Sequence, residues 1–140
     1  MTTVFTRIIQ GELPGRFVWR DDRCVAFLSI NPLRPGHTLV VPVEEVDHWL
    51  DLDDDLARHL MGVSRVVGRA LRAAFRPERV GLVIAGLEVP HTHLHVVPIR
   101  DMGDLDFANA DPSPDPADLD DAAERVRSAL RDLGRSEVAG

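Results

Sequence analysis

Three histidines occupy alternate positions in residues 89–98, which read VPHTHLHVVP. In an extended strand, residues two apart point to the same side, so the spacing predicts that His91, His93 and His95 project from one face, about 6 to 7 Å apart. A neutral imidazole is a competent nucleophile, base or hydrogen-bond partner near pH 7. The run therefore predicts chemistry on a substrate that enters a polar, exposed cleft. One histidine would act as nucleophile or general base, and the others would hold its tautomer, position and charge.

Two other interpretations of the histidine run stay open at this point. The rings could be structural, although three imidazoles in a plain core bring six ring nitrogens that all need partners. The run could also bind zinc, because His-x-His on a strand presents two nitrogens to one metal. A third histidine of the run, or His37, would complete such a set. Substrate chemistry is favoured over both, so no metal or other cofactor is expected, with zinc as the alternative.

Length and composition indicate one globular domain over residues 1–140. The chain is 44% hydrophobic and 28% charged, which is ordinary for a folded protein. Its net charge of −7 disfavours binding to a nucleic-acid backbone, so a small ligand is the expected partner. The single cysteine, Cys24, excludes an internal disulfide and is expected to be a small buried residue.

No membrane or secretion signal is evident in the sequence. The first residues, MTTVFTR, are too polar for a signal peptide, and no run approaches 18 apolar residues. We therefore expect no membrane partner and a cytoplasmic location.

Five strands are expected, all short and close in sequence. They lie at residues 17–19, 25–30, 37–42 and 80–85, and from His91 or His93 to residue 99. Turn residues separate them, notably RDDR at 20–23 and NPLRPG at 31–36. Such near neighbours favour antiparallel pairing, and the strand at 80–85 is expected to be buried.

The long helix expected over residues 53–75 is the clearest element. Its apolar residues recur at steps of three and four, which is typical of a one-faced helix. They are Leu56, Leu60, Val63, Val67, Leu71 and Ala74. Three aspartates begin this helix and Pro77 follows it, as the helix dipole and proline geometry favour.

Shorter helices are expected at both ends of the chain. Thr2 or Thr3 would cap a first helix that ends by Gly11, and a C-terminal amphipathic helix is expected over 119–133, followed by a short frayed end. Between the sheet and this last helix, residues 101–118 hold six aspartates and three prolines. We interpret them as a long acidic surface loop that points into solvent.

The stretch HTHLHVV at 91–97 resembles the His-x-His-x-His-x-x signature of the histidine triad (HIT) family of nucleotide-binding hydrolases and transferases. Three further blocks resemble the family's N-terminal blocks in the same order: FTRIIQGELP at 5–14, AFLSINP at 26–32 and PGHTLVVP at 35–42. The resemblance covers about residues 4–99 and is strongest to actinobacterial HIT-like proteins. It implies an α+β fold with about five antiparallel strands, one long helix and short terminal helices. It also implies a homodimer built around the long helix.

The resemblance also implies roles for individual residues. His93 would attack the α-phosphorus of a purine nucleotide or nucleotide conjugate, giving a nucleotidyl-histidine that water resolves. His95 would donate to a phosphate oxygen or to the leaving group, and His91, with His37 behind it, would orient the site. The substrate would be a nucleoside phosphoramidate, a phosphoester or a dinucleoside polyphosphate. The implied nucleotide-binding residues are Val4, Phe5, Ile8, Leu13, Phe27, Ser29, Ile30 and Asn31.

Two departures from the family pattern favour a second hypothesis. Ser29 stands where many members have an acidic residue that binds the ribose, and Leu87 stands where a polar side chain usually lies near the phosphates. Loss of one oriented donor costs on the order of 3 kcal/mol of transition-state stabilisation. The alternative is therefore a nucleotide-binding or interaction protein with little turnover.

Overall fold

The computed structural model describes residues 2–140, and a five-stranded antiparallel sheet runs through it. The strands are β1 (Phe17–Arg20), β2 (Cys24–Leu28), β3 (Thr38–Pro42), β4 (Arg79–Val83) and β5 (Leu94–Ile99). Their order across the sheet is β1-β2-β3-β5-β4, and each neighbouring pair is antiparallel. The fold is α+β, as predicted.

Three helices accompany the sheet: α1 (Val4–Ile9), α2 (Asp54–Phe75) and α3 (Pro116–Asp132). The Asp53 side chain caps α2 by accepting the N–H of Leu56, which satisfies one of the free donors at the helix start. Helix α3 begins three residues earlier than expected, because Asp115 caps it and a proline fits its first turn. With 17 residues it is not a short helix. Within residues 2–140, no helix has the length and apolar character needed to span a membrane.

The two faces of the sheet are covered differently. Helices α2 and α3 pack on one side, here called the back face, where Ala26, Val40, Leu94 and Val96 join the main apolar cluster. The other side is the front face. There α1 packs against β2 and β3, and the chain that follows β5 packs against the strand's far end. Successive residues of a strand face opposite sides, so the same strands serve both faces.

Two strands differ from the expectation. Strand β5 begins at Leu94, so His91 and His93 lie in the segment before it rather than in the strand. Strand β4 is expected to be buried, but each of its residues is partly or fully exposed. The reason is its place at the edge of the sheet, where nothing in residues 2–140 pairs with its outer side.

The chain after β5 and the C-terminus are also more ordered than the sequence suggests. Residues 102–105 and 107–109 form two 3₁₀ turns, and Leu105 and Ala110 pack on the front face, so this part of the acidic loop does not simply point into solvent. The expected frayed end is wrong as well. Val138 bridges Trp19 of β1, and the N–H of Arg20 donates to the carbonyl of Glu137 at 2.9 Å.

Candidate functional site

Four imidazoles converge on the front face near the junction of β3 and β5. His95 lies on β5 opposite Leu39, and His37 directly precedes β3. His91 and His93 come from the segment before β5. The ring centroid of His95 lies 4.9 Å from that of His93 and 5.2 Å from that of His37. The sheet therefore brings together the four histidines that the sequence analysis singled out.

Hydrogen bonds fix the tautomers of His37 and His95. The backbone N–H of Leu33 donates to Nδ1 of His37 at 3.0 Å, so a neutral His37 carries its proton on Nε2. That Nε2–H donates to Nδ1 of His95 at 2.9 Å. A neutral His95 must then carry its own proton on Nε2. Burial lowers the pKa of His37 to about 3 and that of His95 to about 4, and in each case the neighbouring imidazoles add to the effect. Both rings are thus neutral at pH 7.

A second chain of hydrogen bonds fixes His91 and His93. The Nε2–H of His91 donates to the carbonyl of Pro42 at 2.7 Å, and its Nδ1 accepts the hydroxyl of Thr3 at 2.7 Å. The carbonyl of His91 in turn accepts the Nδ1–H of His93 at 2.7 Å. Because a carbonyl can only accept, a neutral His93 has its lone pair on Nε2. Burial lowers the pKa of both rings, although their hydrogen bonds to carbonyls act in the opposite direction.

The histidines are less exposed than the sequence predicts. His91 is 0% exposed and His93 is 7% exposed, so an open row of three rings is wrong. Among the described residues, Ser64 Oγ is the one fully enclosed side-chain nitrogen or oxygen without a hydrogen bond. The unbonded Nε2 of His93 therefore touches solvent. A cavity of about 40 Å³ reaches this ring; Asp47, Gly86 and Thr92 are among its other lining residues.

Three of the expected nucleotide-binding residues form an apolar wall beside the triad. The ring centroid of Phe5 lies 4.8 Å from that of His93 and 5.7 Å from that of Phe27. Ile8 packs on the same cluster. Val4 and Ile30 are exposed and lie outside this cluster, and Leu13 is half-buried without joining it.

Ser29 and Asn31 lie in the turn after β2. The backbone N–H of Asn31 donates to Ser29 Oγ at 3.3 Å, and its side-chain amide donates to the carbonyl of Asp111 at 3.0 Å. Asn31 thus tethers the turn to the chain after β5. Leu87 is 94% exposed and turned to solvent, so this position supplies no donor to the site.

Sequence reasoning misplaces one residue and misses two others. His37 is expected behind His91, but it bonds His95 instead, and Thr3 takes the place behind His91. Thr3 is expected only as a helix cap, and it does both. Phe107 is the second missed residue, with its ring centroid 4.9 Å from that of His95. The available signal was an apolar Leu105 and Phe107 inside an acidic stretch.

One group of side chains in residues 2–140 has metal-compatible spacing, and it does not include the triad. Ligand atoms of Asp21, Cys24 and His59 lie within 4.8 Å of one another. Asp21 Oδ2 is already the acceptor for Trp19 Nε1 and His59 Nε2, each at 2.8 Å. Burial raises the pKa of Asp21, but these bonds and two backbone N–H groups outweigh it and bring the value to about 2. The donors converge on one oxygen, so the group is a hydrogen-bonded link between β2 and α2.

Comparisons with known proteins identify the family of the chain. The HIT domain model matches residues 10–102. An uncharacterised HIT-like protein from Borreliella burgdorferi is 40% identical over 102 residues, which cover 68% of this chain and 73% of that protein.

Two solved structures are similar over most of their length. A zinc-bound histidine triad family protein from Mycobacterium smegmatis has a TM-score of 0.83 and 28% identity, with 96% of each chain covered. A HIT family hydrolase from Legionella pneumophila has a TM-score of 0.62 and 31% identity, covering 72% of this chain and 96% of that one. These matches do not support a special closeness to actinobacterial members. They do show that the chain belongs to the HIT domain family.

Proposed function

We propose that this protein hydrolyses a nucleoside phosphoramidate, a nucleoside phosphoester or a dinucleoside polyphosphate at the α-phosphorus, through a nucleotidyl-His93 intermediate. One observation carries the proposal: the two ring nitrogens left without partners, Nε2 of His93 and Nε2 of His95, have opposite hydrogen-bonding roles. The first presents a lone pair, and the second presents a proton. A nucleophile and a donor on adjacent rings, 4.9 Å apart, suit group transfer at phosphorus.

The proposed first step uses both nitrogens. The lone pair on His93 Nε2 attacks phosphorus, and the bond from phosphorus to the leaving nitrogen or oxygen breaks. The leaving group keeps the bonding electron pair and takes a proton from a water molecule, while the Nε2–H of neutral His95 donates a hydrogen bond to it. The carbonyl of His91 stabilises the positive charge that develops on the His93 ring, through the Nδ1–H bond at 2.7 Å.

The second step releases the nucleotide. The hydroxide left by that water attacks phosphorus opposite the His93 nitrogen, while the Nε2–H of His95 donates to an oxygen on phosphorus. The bond between phosphorus and His93 breaks, and its electron pair returns to Nε2. His93 regains its lone pair and His95 keeps its proton, so the protons balance with water alone and no oxidant is needed.

The retained half of the substrate is proposed to be a purine nucleoside held against the wall formed by Phe5, Ile8 and Phe27. This wall adjoins His93, which puts a flat apolar surface beside the reacting nitrogen. Ser29 and Asn31 follow Phe27 closely in sequence, and their polar side chains are proposed to bind the ribose. Val4, Leu13 and Ile30 would serve as the outer rim.

Turnover assays with adenosine phosphoramidate and with diadenosine polyphosphates test the proposal. We expect release of AMP from at least one of them, and loss of at least about a thousandfold in kcat for His93→Ala. His59→Gln, which changes an imidazole bonded to Asp21 and remote from the triad, is the matched control. Full turnover by His93→Ala would remove the nucleophile assignment.

A nucleotide-binding protein with little turnover is the second candidate. The exposure of Leu87 favours it, because no polar side chain at that position assists the phosphate. Calorimetric AMP binding without product release from any substrate would establish this alternative and reject hydrolysis.

We propose that the site acts without zinc. The support is that both ring nitrogens of His91 are engaged by Pro42 and Thr3, and that Nδ1 of His93 and of His95 are engaged as well. Turnover should survive prolonged chelation, with the metal content of the protein measured in parallel. Loss of activity on chelation and its recovery with added zinc would contradict this.

A homodimer built around α2 is the proposed assembly, in a reducing, cytoplasmic setting that suits the free, buried thiol of Cys24. The unpaired edge of β4, the exposed Leu82 and a cavity of about 460 Å³ between α2 and β4 support it. Light scattering after size-exclusion chromatography should give twice the mass of one chain. The Leu82→Asp variant should have a measured mass closer to that of one chain. A single-chain mass for the unsubstituted protein at about 100 μM would contradict the dimer.

A further inference from the structure

Residues 101–111 form an anchored segment over the front face, here called the arch. Leu105 and Ala110 pack against the cluster of Leu33, Val97 and Ile99. The far end is tied down by two hydrogen bonds, from the N–H of Asp111 to the carbonyl of Pro32 and from the Asn31 amide to the carbonyl of Asp111, each 3.0 Å. Anchoring through both apolar contacts and hydrogen bonds holds the middle of the arch in a fixed position beside the triad.

The carboxylates of the arch serve its own backbone. Asp101, Asp104 and Asp106 accept the N–H groups of Gly103, Arg100 and Ala108, respectively, at 2.8 to 3.0 Å. Aspartates commonly stabilise turns in this way. The acidic composition is thus explained by turn formation, and the contact that the arch makes with the triad comes from an aromatic ring.

That ring belongs to Phe107. It meets His95 at a centroid distance of 4.9 Å and an interplanar angle of 67°, an edge-to-face contact. The residue remains 44% exposed and joins none of the apolar clusters in residues 2–140. Phe107 therefore contributes little to the core, while a large part of its surface is open beside the imidazole that presents a proton.

The position of Phe107 along the site indicates which part of a substrate it would meet. Successive ring contacts link Phe5 to His93, His93 to His95 and His95 to Phe107, with centroid distances of 4.8, 4.9 and 4.9 Å. Phe5 is at the proposed nucleoside end. In an in-line displacement the leaving group departs on the side of phosphorus away from the nucleophile. Phe107 lies beyond His95, the proposed donor to that group.

We propose that Phe107 is a specificity-determining residue that selects substrates whose leaving group carries a planar aromatic ring. The aromatic ring of the leaving group would cover the open surface of Phe107 while His95 Nε2–H donates a hydrogen bond to the departing atom. This inference rests on the function proposed above. Stacking on an aromatic side chain is sufficient to change kcat/KM by about tenfold.

The experiment compares two matched substrates, the adenosine 5′-phosphoramidates of benzylamine and of cyclohexylmethylamine. They have the same connectivity and differ in whether the six-membered ring is planar and aromatic. Variants Phe107→Ala and Phe107→Trp are assayed beside Met102→Ala, a control on the same arch at an exposed position. Diadenosine tetraphosphate is a third substrate, which tests whether a nucleobase can supply the aromatic ring.

We expect the unsubstituted protein to prefer the benzyl substrate about tenfold in kcat/KM. Phe107→Ala should remove this preference and leave AMP affinity within about twofold, whereas Phe107→Trp and Met102→Ala should keep it. Equal losses for both substrates in Phe107→Ala would show that Phe107 only holds His95 in place. That result, or an unchanged preference, would overturn the inference.

A binding measurement separates this inference from the proposed function. In a His93→Ala background the substrates stay intact, so their affinities can be compared with and without Phe107→Ala. Tighter binding of the benzyl compound that depends on Phe107 supports the inference even if the unsubstituted protein hydrolyses neither substrate. Equal binding of the two compounds in both backgrounds overturns it, whatever the turnover assay gives.

Discussion

The two faces of the sheet share the same strands but are built for different purposes. On the back face, two long amphipathic helices bury alternate residues of β2, β3 and β5 in one apolar cluster. On the front face, the intervening residues of those strands meet a short helix and an arch, and histidines replace aliphatic side chains. Burial of apolar area stabilises the back face, whereas fixed hydrogen bonds orient the side chains of the front face. Stability should therefore reside mainly behind the sheet, and chemistry in front of it.

After removal of His93, the largest effect should follow removal of His95. His95→Ala deletes the proposed hydrogen-bond donor to the leaving group, so kcat should fall by about 10²- to 10³-fold. The free energy of unfolding should fall by about 1 to 3 kcal/mol, because the buried Nε2–H of His37 loses its acceptor. Stopped assays and urea denaturation on the same preparation measure both. A large loss of stability with little loss of turnover would reverse the roles assigned to the two faces.

The converse substitution is on the back face. Leu60 is 1% exposed in the main cluster, and Leu60→Ala should cost about 3 kcal/mol of unfolding free energy. The kcat of the folded fraction should stay within about twofold. Denaturation midpoints and active-site titration test this pair of outcomes. If kcat fell in step with stability, the two faces would be coupled through the sheet.

The next effect in size should be a loss of stability at acid pH, caused by the histidines of the front face. His37 and His95 have pKa values of about 3 and 4 in the fold, below the ordinary 6.5, so the unfolded chain binds protons that the folded one does not. Their contribution is fully present above pH 6.5 and is lost as the pH falls toward 4 and then 3. Lowering the pH from 7 to 5 should reduce the free energy of unfolding by about 2 kcal/mol for each of the two imidazoles. Urea denaturation at these two pH values measures the loss, and unchanged stability would contradict burial of neutral rings.

The smallest effect should come from Thr3→Val. This change keeps the side-chain shape but removes the hydroxyl that donates to His91, at a cost of about 1 kcal/mol in stability. Freed on one side, His91 would hold His93 less firmly through its carbonyl, so kcat should drop about fivefold while KM changes little. Thr3→Ser is the matched control, which restores the donor and should restore kcat. Equal losses in both variants would show that the hydroxyl of residue 3 is not what sets kcat.

Much of the back face could be predicted from the sequence. The step of three and four in the long helix, with aspartates at its start and Pro77 after it, predicts α2 to within one residue at its beginning. Those signals are local, since each depends on side chains a turn apart. Strand β4 was harder, because its apolar residues do not tell an edge position from a central one.

The front face was predictable only in its composition. Alternating histidines predict one face of a strand, yet the N–H of Thr92 bonds the carbonyl of Val46 and the sheet begins only at Leu94. The carbonyl of Pro42 orients His91, and His37 bonds His95. Each of these contacts joins residues more than 45 positions apart in the chain. Phe107 reaches the site through an arch that composition alone suggests to be solvated. Such contacts are set by tertiary packing, which sequence periodicity does not encode.

The C-terminal strap on β1 has a consequence for self-association. Residues 137–139 hydrogen-bond to Arg20 and Val18, so they cover the edge strand β1. The edge strand β4 is left unpaired within residues 2–140. A molecule with a single unpaired edge strand can pair edge to edge with one other copy. Neither copy then has an unpaired edge strand left for a third. Residues 137–139 thereby leave the edge of β4 as the sheet edge through which copies could pair.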